Sequence, residues 1–278
     1  MKLKYLGTAA AEGIPGIFCE CETCKCAREL GGRNIRTRSQ ALIDGQLLID
    51  FPADTYMHML QHAVALSKIK NCLITHAHSD HLYTGEITMR KEHYAHILDD
   101  KAPLVFYADA AGYNEIFDII LKNNIPKSDV QLKQVELYVP FTVDGYMVTA
   151  LRAAHDPQAS PVVYLIEKDG KMLFYAHDSS EYPVESILYL KALKKPLNLV
   201  SLDCTEACNH SDYMGHLDIG RCDRLRSKLI HERIADKNTV FVLNHFSHNG
   251  KNVLYNEFLK IAEKYKFLVS YDGMEIEV

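Results

Sequence analysis

Residues 72–81 read Cys-Leu-Ile-Thr-His-Ala-His-Ser-Asp-His, an apolar run that breaks into a loop carrying His76, His78, Asp80 and His81. Neutral imidazole is the commonest protein ligand for zinc-type ions, and a carboxylate beside a His-x-His pair adds a harder oxygen donor. If the backbone past Ile74 is still extended, alternate side chains point the same way, so His76 and His78 can share one ion. Asp80 and His81, beyond the turn, can face a second. A polar surface loop with solvated histidines has no need of four donors in so short a space.

Working outward, β-rich runs alternate with amphipathic stretches, without repeats or low-complexity linkers, and the chain reads as α/β. Strands are expected at 2–6, 40–43, 46–49, 72–75, 104–107, 131–137, 146–152, 162–167, 171–175, 197–202, 240–243 and 267–271. Helices are expected at 54–65, 85–97, 110–122, 183–193, 218–232 and 251–264. Asp44-Gly45 and Asp169-Gly170 each separate two such strands and predict hairpin turns. Other candidate ligands also follow strands: His155 after 146–152, Asp178 after 171–175 and His245 after 240–243. Alone, His155 could be a turn residue and Asp178 a helix N-cap. Their shared placement implies convergence on one rim, where a rigid scaffold holds metal while loops admit substrate.

At 278 residues and 47% hydrophobic, the chain can bury a substantial core, and one domain over 1–278 is the default. A net charge of -5, with Lys and Arg scattered, lacks the basic footprint of a nucleic-acid binder. No apolar run reaches membrane-spanning length and the N-terminus lacks a signal-peptide core, so a cytoplasmic location without membrane association is expected. Four of the eight cysteines crowd into eight residues: Cys19, Cys21, Cys24 and Cys26. In a reducing compartment such spacing can wrap three sulfurs around a tetrahedral zinc, with one more ligand from elsewhere. Cys72 reads as a small core residue, and Cys204 and Cys208 as a weaker candidate metal pair.

His76-x-His78-x-Asp80-His81, followed by His155, Asp178 and His245 in that order, resembles the ligand set of the metallo-β-lactamase superfamily. Gly7 to Pro15, Cys19-Glu20-Cys21-x-x-Cys24, Asn244 to His248 and Tyr271 to Ile276 are similar to the PhnP family of phosphoribosyl cyclic phosphodiesterases. The resemblance implies a four-layered αββα sandwich with metals at its open edge. It places His76, His78 and His155 on one divalent ion and Asp80, His81 and His245 on another, with Asp178 bridging. It also implies a structural zinc on Cys19, Cys21, Cys24 and His248, within an N-terminal loop at about 12–38. His216 takes the position of a family histidine that acts near the leaving group; read without the resemblance, it could be only a loop residue before a helix.

Two ions held this way lower the pKa of a bridging water, and a phosphodiester attacked in line needs a proton for its departing alkoxide. Asp80 and His216 are therefore the catalytic candidates. The expected substrate is a small cyclic phosphodiester of the phosphoribosyl 1,2-cyclic phosphate type. Zinc or manganese would serve as the catalytic ions, with nickel or iron as alternatives. Other hydrolases of the superfamily remain rivals, either of the tRNA 3′-processing type or acting on lactones or thioesters, as does a non-catalytic metal-binding protein. Homodimeric assembly is left open. The segment from Cys204 to Tyr213 and the acidic stretch around Asp99-Asp100 depart from the PhnP pattern.

Overall fold

The first strand shows how the sequence builds its sheets. In β1 (Lys2–Gly7), Leu3 and Tyr5 are fully buried on one face, while Lys2 and Lys4 alternate toward the other. The same period of two recurs along the chain, in a computed structural model that describes residues 1–98, 102–210 and 214–278. Asp99, Asp100 and Ser211 to Tyr213, which carry part of the departures noted above, lie outside the described residues.

The first half continues through α1 (Glu22–Leu30), β2 (Gln40–Ile43), β3 (Leu47–Ile49), α2 (Thr55–His62), β4 (Asn71–Leu73), β5 (Leu104–Ala108), α3 (Ala110–Lys122) and β6 (Val130–Gln134). The second half holds β7 (Phe141–Val143), β8 (Tyr146–Arg152), β9 (Val162–Lys168), β10 (Lys171–Ala176), α4 (Val184–Ala192), β11 (Leu199–Asp203), α5 (Ile219–His231), β12 (Val240–Asn244), α6 (Tyr255–Lys264), β13 (Leu268–Val269) and β14 (Glu275–Glu277). They form two seven-stranded sheets, ordered β14-β1-β2-β3-β4-β5-β6 and β13-β12-β11-β10-β9-β8-β7.

The sheets face one another through Leu3, Tyr5, Ile49 and Leu73 on one side and Tyr164, Ile166, Leu173 and Tyr175 on the other. Leu48, Cys72 and Phe106 point outward from the first sheet and pack with Ile116 of α3. Phe174, Val200 and Leu202 leave the second sheet by its far face and meet Leu225 and Leu229 of α5 and Phe258 of α6. The result is helix, sheet, sheet, helix, the expected four-layered sandwich. Because β3, β4 and β5 run parallel, as do β10, β11 and β12, their C-terminal ends gather on common rims.

Three local expectations are corrected. The helix at 85–97 is a 3₁₀ stretch, Thr84–Arg90, followed by turns and irregular backbone. Only Ile87 of it is buried, and Thr84, Gly85 and Thr88 weaken helical propensity, so no apolar face holds a longer helix in place. The N-terminal loop at 12–38 contains α1, a short helix that buries only Cys24 and Ala27. A third Asp-Gly hairpin, Asp144-Gly145, joins β7 to β8; its φ values of 49° and 80° match the left-handed pairs at Asp44-Gly45 and Asp169-Gly170.

Candidate metal centre and active-site cleft

The expected donors leave the ends of strands, as their sequence spacing implied. His76, His78, Asp80 and His81 follow β4, His155 follows β8, Asp178 follows β10 and His245 follows β12. Asp178 and His245 adopt left-handed backbone, φ 47° and 63°. Such conformations are disfavoured for side-chain-bearing residues and persist where the surroundings over-determine them, as at functional sites.

The donor atoms form two sets that share one carboxylate. His76, His78, His155 and Asp178 offer one atom each within 4.8 Å of one another, and Asp80, His81, Asp178 and His245 do the same. In the first set, His76 Nε2 lies 3.0 Å from His78 Nδ1 and 3.2 Å from a carboxylate oxygen of Asp178. In the second, His81 Nε2 is 2.8 Å from Asp178, 3.3 Å from Asp80 and 3.2 Å from His245 Nε2. Asp178, Asp203, His216 and His245 make a further overlapping group.

This donor set fits divalent ions. Paired imidazole nitrogens turned on one another gain little unless a cation lies between them. His245 Nδ1 is 2.9 Å from Asp178 Oδ1 but out of line for a hydrogen bond, leaving that buried oxygen without a hydrogen-bond partner. Electrostatics agree. Burial alone would push the Asp178 carboxyl up, but the charges of His245 and His81 hold it well below the usual carboxylate range. Burial likewise opposes ionisation of Asp80, and His81 and His245 overcome it. The buried carboxylates thus require positive charge at this point.

Outer partners fix the rings. Asp50, fully buried at the end of β3 with φ 66°, contacts His81 Nδ1 at 2.8 Å and accepts from the backbone N–H and hydroxyl of Thr75. This carboxylate orients His81 so that Nε2 faces the centre. Asp203, buried at the end of β11, accepts from Leu217 N–H at 2.8 Å and lies 3.0 Å from His216 Nδ1. Burial lowers the His216 pKa, but Asp203 overrides it and the net effect is a rise. Asp50 and Asp203 were not among the sequence-predicted residues. The signal that marked Asp178, a carboxylate where a strand ends, was present in both.

His216 lines the same cleft of about 370 Å³ as His78, Asp80, His155, Asp178 and His245. Its ring centroid is 4.9 Å from that of His155. The structure therefore brings together every predicted binuclear ligand and His216.

The cysteine set converges separately. Cys19, Cys21, Cys24 and His248 place one donor each within 4.8 Å of the others, with His248 Nδ1 3.6 Å from Sγ of both Cys19 and Cys21. Zn–S near 2.3 Å and Zn–N near 2.0 Å imply about 3.5 Å between tetrahedral donors, so these separations suit zinc. Burial works against the Cys21 thiolate, yet the Cys24 backbone N–H, Cys19 and His248 bring it down to about 6; burial pushes Cys24 up to about 12. A side chain at Gly16 would press on Cys19 and His248, which explains a glycine there. Cys26 lies outside this group and contacts Glu22. Cys204 and Cys208 join no metal-donor group among the described residues, and Cys204 is a buried core residue.

Two packed β-sheets flanked by helices, with His and Asp donors at one rim, define a metal-dependent hydrolase of the metallo-β-lactamase type. A family profile described as "Beta-lactamase superfamily domain" matches residues 46–242, and the chain belongs to that superfamily. Zinc-bound PqqB from Methylobacterium extorquens is similar in structure, 20% identical with a TM-score of 0.74 over all of both chains. A diphosphatase from the PhnP family is 19% identical with a TM-score of 0.74, covering 100% of this chain and 97% of that one. The human short-form tRNase Z is 15% identical with a TM-score of 0.66, covering 100% and 99%. Such low identities establish a shared fold. A sequence search of curated proteins gives no match.

Proposed function

We propose that this chain is a binuclear metal-dependent phosphodiesterase acting on a small cyclic phosphodiester of the phosphoribosyl 1,2-cyclic phosphate type. The observation that carries the reading is the pair of four-donor groups sharing Asp178 at the floor of a cleft that also holds His216. His76, His78 and His155 would hold one ion, Asp80, His81 and His245 the other, with Asp178 common to both. Zinc or manganese suits such mixed nitrogen and oxygen donors. When bound, the ions supply a hydroxide nucleophile at neutral pH and polarise a phosphoryl oxygen.

The chain's own residues do the rest. Asp50 fixes the His81 ring through Nδ1. Asp203 orients His216 through Nδ1, and His216 hands a proton to the departing oxygen. Cys19, Cys21, Cys24 and His248 would hold a structural zinc that anchors the N-terminal segment beside the cleft. The PhnP-family and tRNase Z neighbours support the reading at family level.

Metal-loaded protein assayed against bis-p-nitrophenyl phosphate, a lactone and a thioester tests it. Diester hydrolysis is expected to dominate. Turnover of the lactone or thioester alone would replace the phosphodiesterase reading.

A further inference from the structure

The two ring nitrogens of His78 face different groups. Nδ1 lies 3.0 Å from His76 Nε2 and 3.3 Å from His155 Nε2, so it is the nitrogen turned to the first donor set. Nε2 lies 3.4 Å from Asp156 Oδ2. With Nδ1 given to an ion, the ring proton sits on Nε2 and donates to this carboxylate. Asp156 directly follows His155, and its other oxygen, Oδ1, accepts from Gln158 N–H at 2.9 Å, capping the short 3₁₀ turn Pro157–Ala159. One dipeptide therefore supplies a ligand and the carboxylate that aims a second ligand at the same ion.

The two donor sets are held in unequal surroundings. In the second set, His81 is backed by Asp50, and both side chains are fully buried. The His78 and Asp156 side chains are 38% and 40% exposed. Water and salt screen a contact at that depth and water can take its place, whereas nothing competes for the buried pair. The other rings of the first set rest on neutral partners: His76 Nδ1 is 3.1 Å from Thr75 Oγ1, and His155 Nδ1 is 3.2 Å from Gly215 O. Among the described residues, Asp156 is therefore the one carboxylate behind the imidazoles of the first set.

We propose that Asp156 is a positioning residue that aims His78 at the ion shared with His76 and His155, and that this exposed support makes that ion the first of the two to exchange. The inference rests on the two-ion arrangement of the proposed function and is independent of the substrate. A carboxylate behind a metal-bound imidazole fixes its tautomer and raises its basicity, and its loss typically costs about 10- to 100-fold in metal affinity.

Zinc-loaded protein dialysed against graded chelator, with zinc counted by elemental analysis, tests it. Wild type is expected to lose one catalytic ion before the other. Asp156→Ser keeps a cap for the turn but is too short to reach His78. Its first loss is expected at about 10- to 100-fold higher free zinc, with the later losses and the melting temperature of the chelated protein unchanged. Asp156→Asn, which caps and reaches but carries no charge, should fall between. Raising the ionic strength should weaken the first ion in wild type more than in Asp156→Ser. In His155→Ala the first step should vanish, and adding Asp156→Ser to it should shift nothing further. Loss of both catalytic ions in one step from wild type, an unmoved first step in Asp156→Ser, or an equal shift of every step overturns the inference. Stepwise loss as expected, together with no diester hydrolysis, would remove the phosphodiesterase reading and leave the role of Asp156 standing.

Discussion

At the scale of single residues, Asp178 is common to all three overlapping donor groups, and it sits at a left-handed backbone position, φ 47°. Asp178→Ala is expected to abolish diester hydrolysis and to lower the bound content of both catalytic ions, while circular dichroism still reports the sandwich. Retention of both ions with near wild-type turnover would remove the shared-ligand assignment. His216 makes a different prediction, because it lies beside the donors with Asp203 behind it. His216→Ala is expected to keep both ions yet slow diesters with poor alkoxide leaving groups by about 10² to 10⁴. Bis-p-nitrophenyl phosphate, whose leaving group is stable as an anion, loses less. Measured kcat/KM losses equal on both substrates would argue against proton donation and for charge stabilisation. Asp203→Asn should reproduce the same split more weakly, since it acts through the orientation of His216 rather than on the substrate.

At the scale of elements, α1 and the loop after β12 are joined by donors rather than by apolar area. α1 buries only Cys24 and Ala27, so a zinc on Cys19, Cys21, Cys24 and His248 would supply the ordering that packing does not. Mild chelation is expected to strip the catalytic ions from wild type and leave about one zinc; the double variant Cys21→Ser, Cys24→Ser should retain none and melt at a lower temperature. Loss of all metal together from wild type, as read by elemental analysis, would count against a separate cysteine site. The same elements show what a sequence can disclose. Donors such as His76, Asp178 and His245 were legible because each followed a short apolar β-rich run, and strand ends are what the sheets bring together. Asp50 and Asp203 follow strands too, but they touch ligands rather than metal, and spacing alone does not separate a carboxylate that orients a ring from one that caps a turn. The stretch at 85–97 read as helix because its apolar spacing was helical, whereas only Ile87 found a core to enter.

At the scale of the whole molecule, a buried histidine outside the metal sites ties stability to pH. His58 of α2 is almost wholly buried where the helix meets the strands of the first sheet. Its Nδ1 lies 2.6 Å from Gln40 Oε1 and its Nε2 2.7 Å from Thr37 Oγ1, whose hydroxyl also meets Asp272. A side chain at Gly7 would strike the His58 ring and the Arg38 carbonyl, so the packing there has no slack. Burial is the main cause that lowers the His58 pKa from 6.5 to about 4; Asp54 opposes it and His62 adds to it. Between those values the unfolded chain binds a proton that the folded chain refuses, so this contribution to stability is complete above about 6.5 and is lost as the pH falls toward 4. At about 1.36 kcal/mol per pH unit, wild type is expected to lose roughly 2 kcal/mol through this residue between pH 7.5 and pH 5. His58→Gln keeps hydrogen-bonding capacity without the titration, so its stability should fall less over the same interval, whatever its absolute value. Urea unfolding of both proteins at the two pH values, with equal metal loading, reads the difference; the metal sites contribute alike to each and cancel. Parallel losses in wild type and variant would show that His58 is not held neutral by the fold.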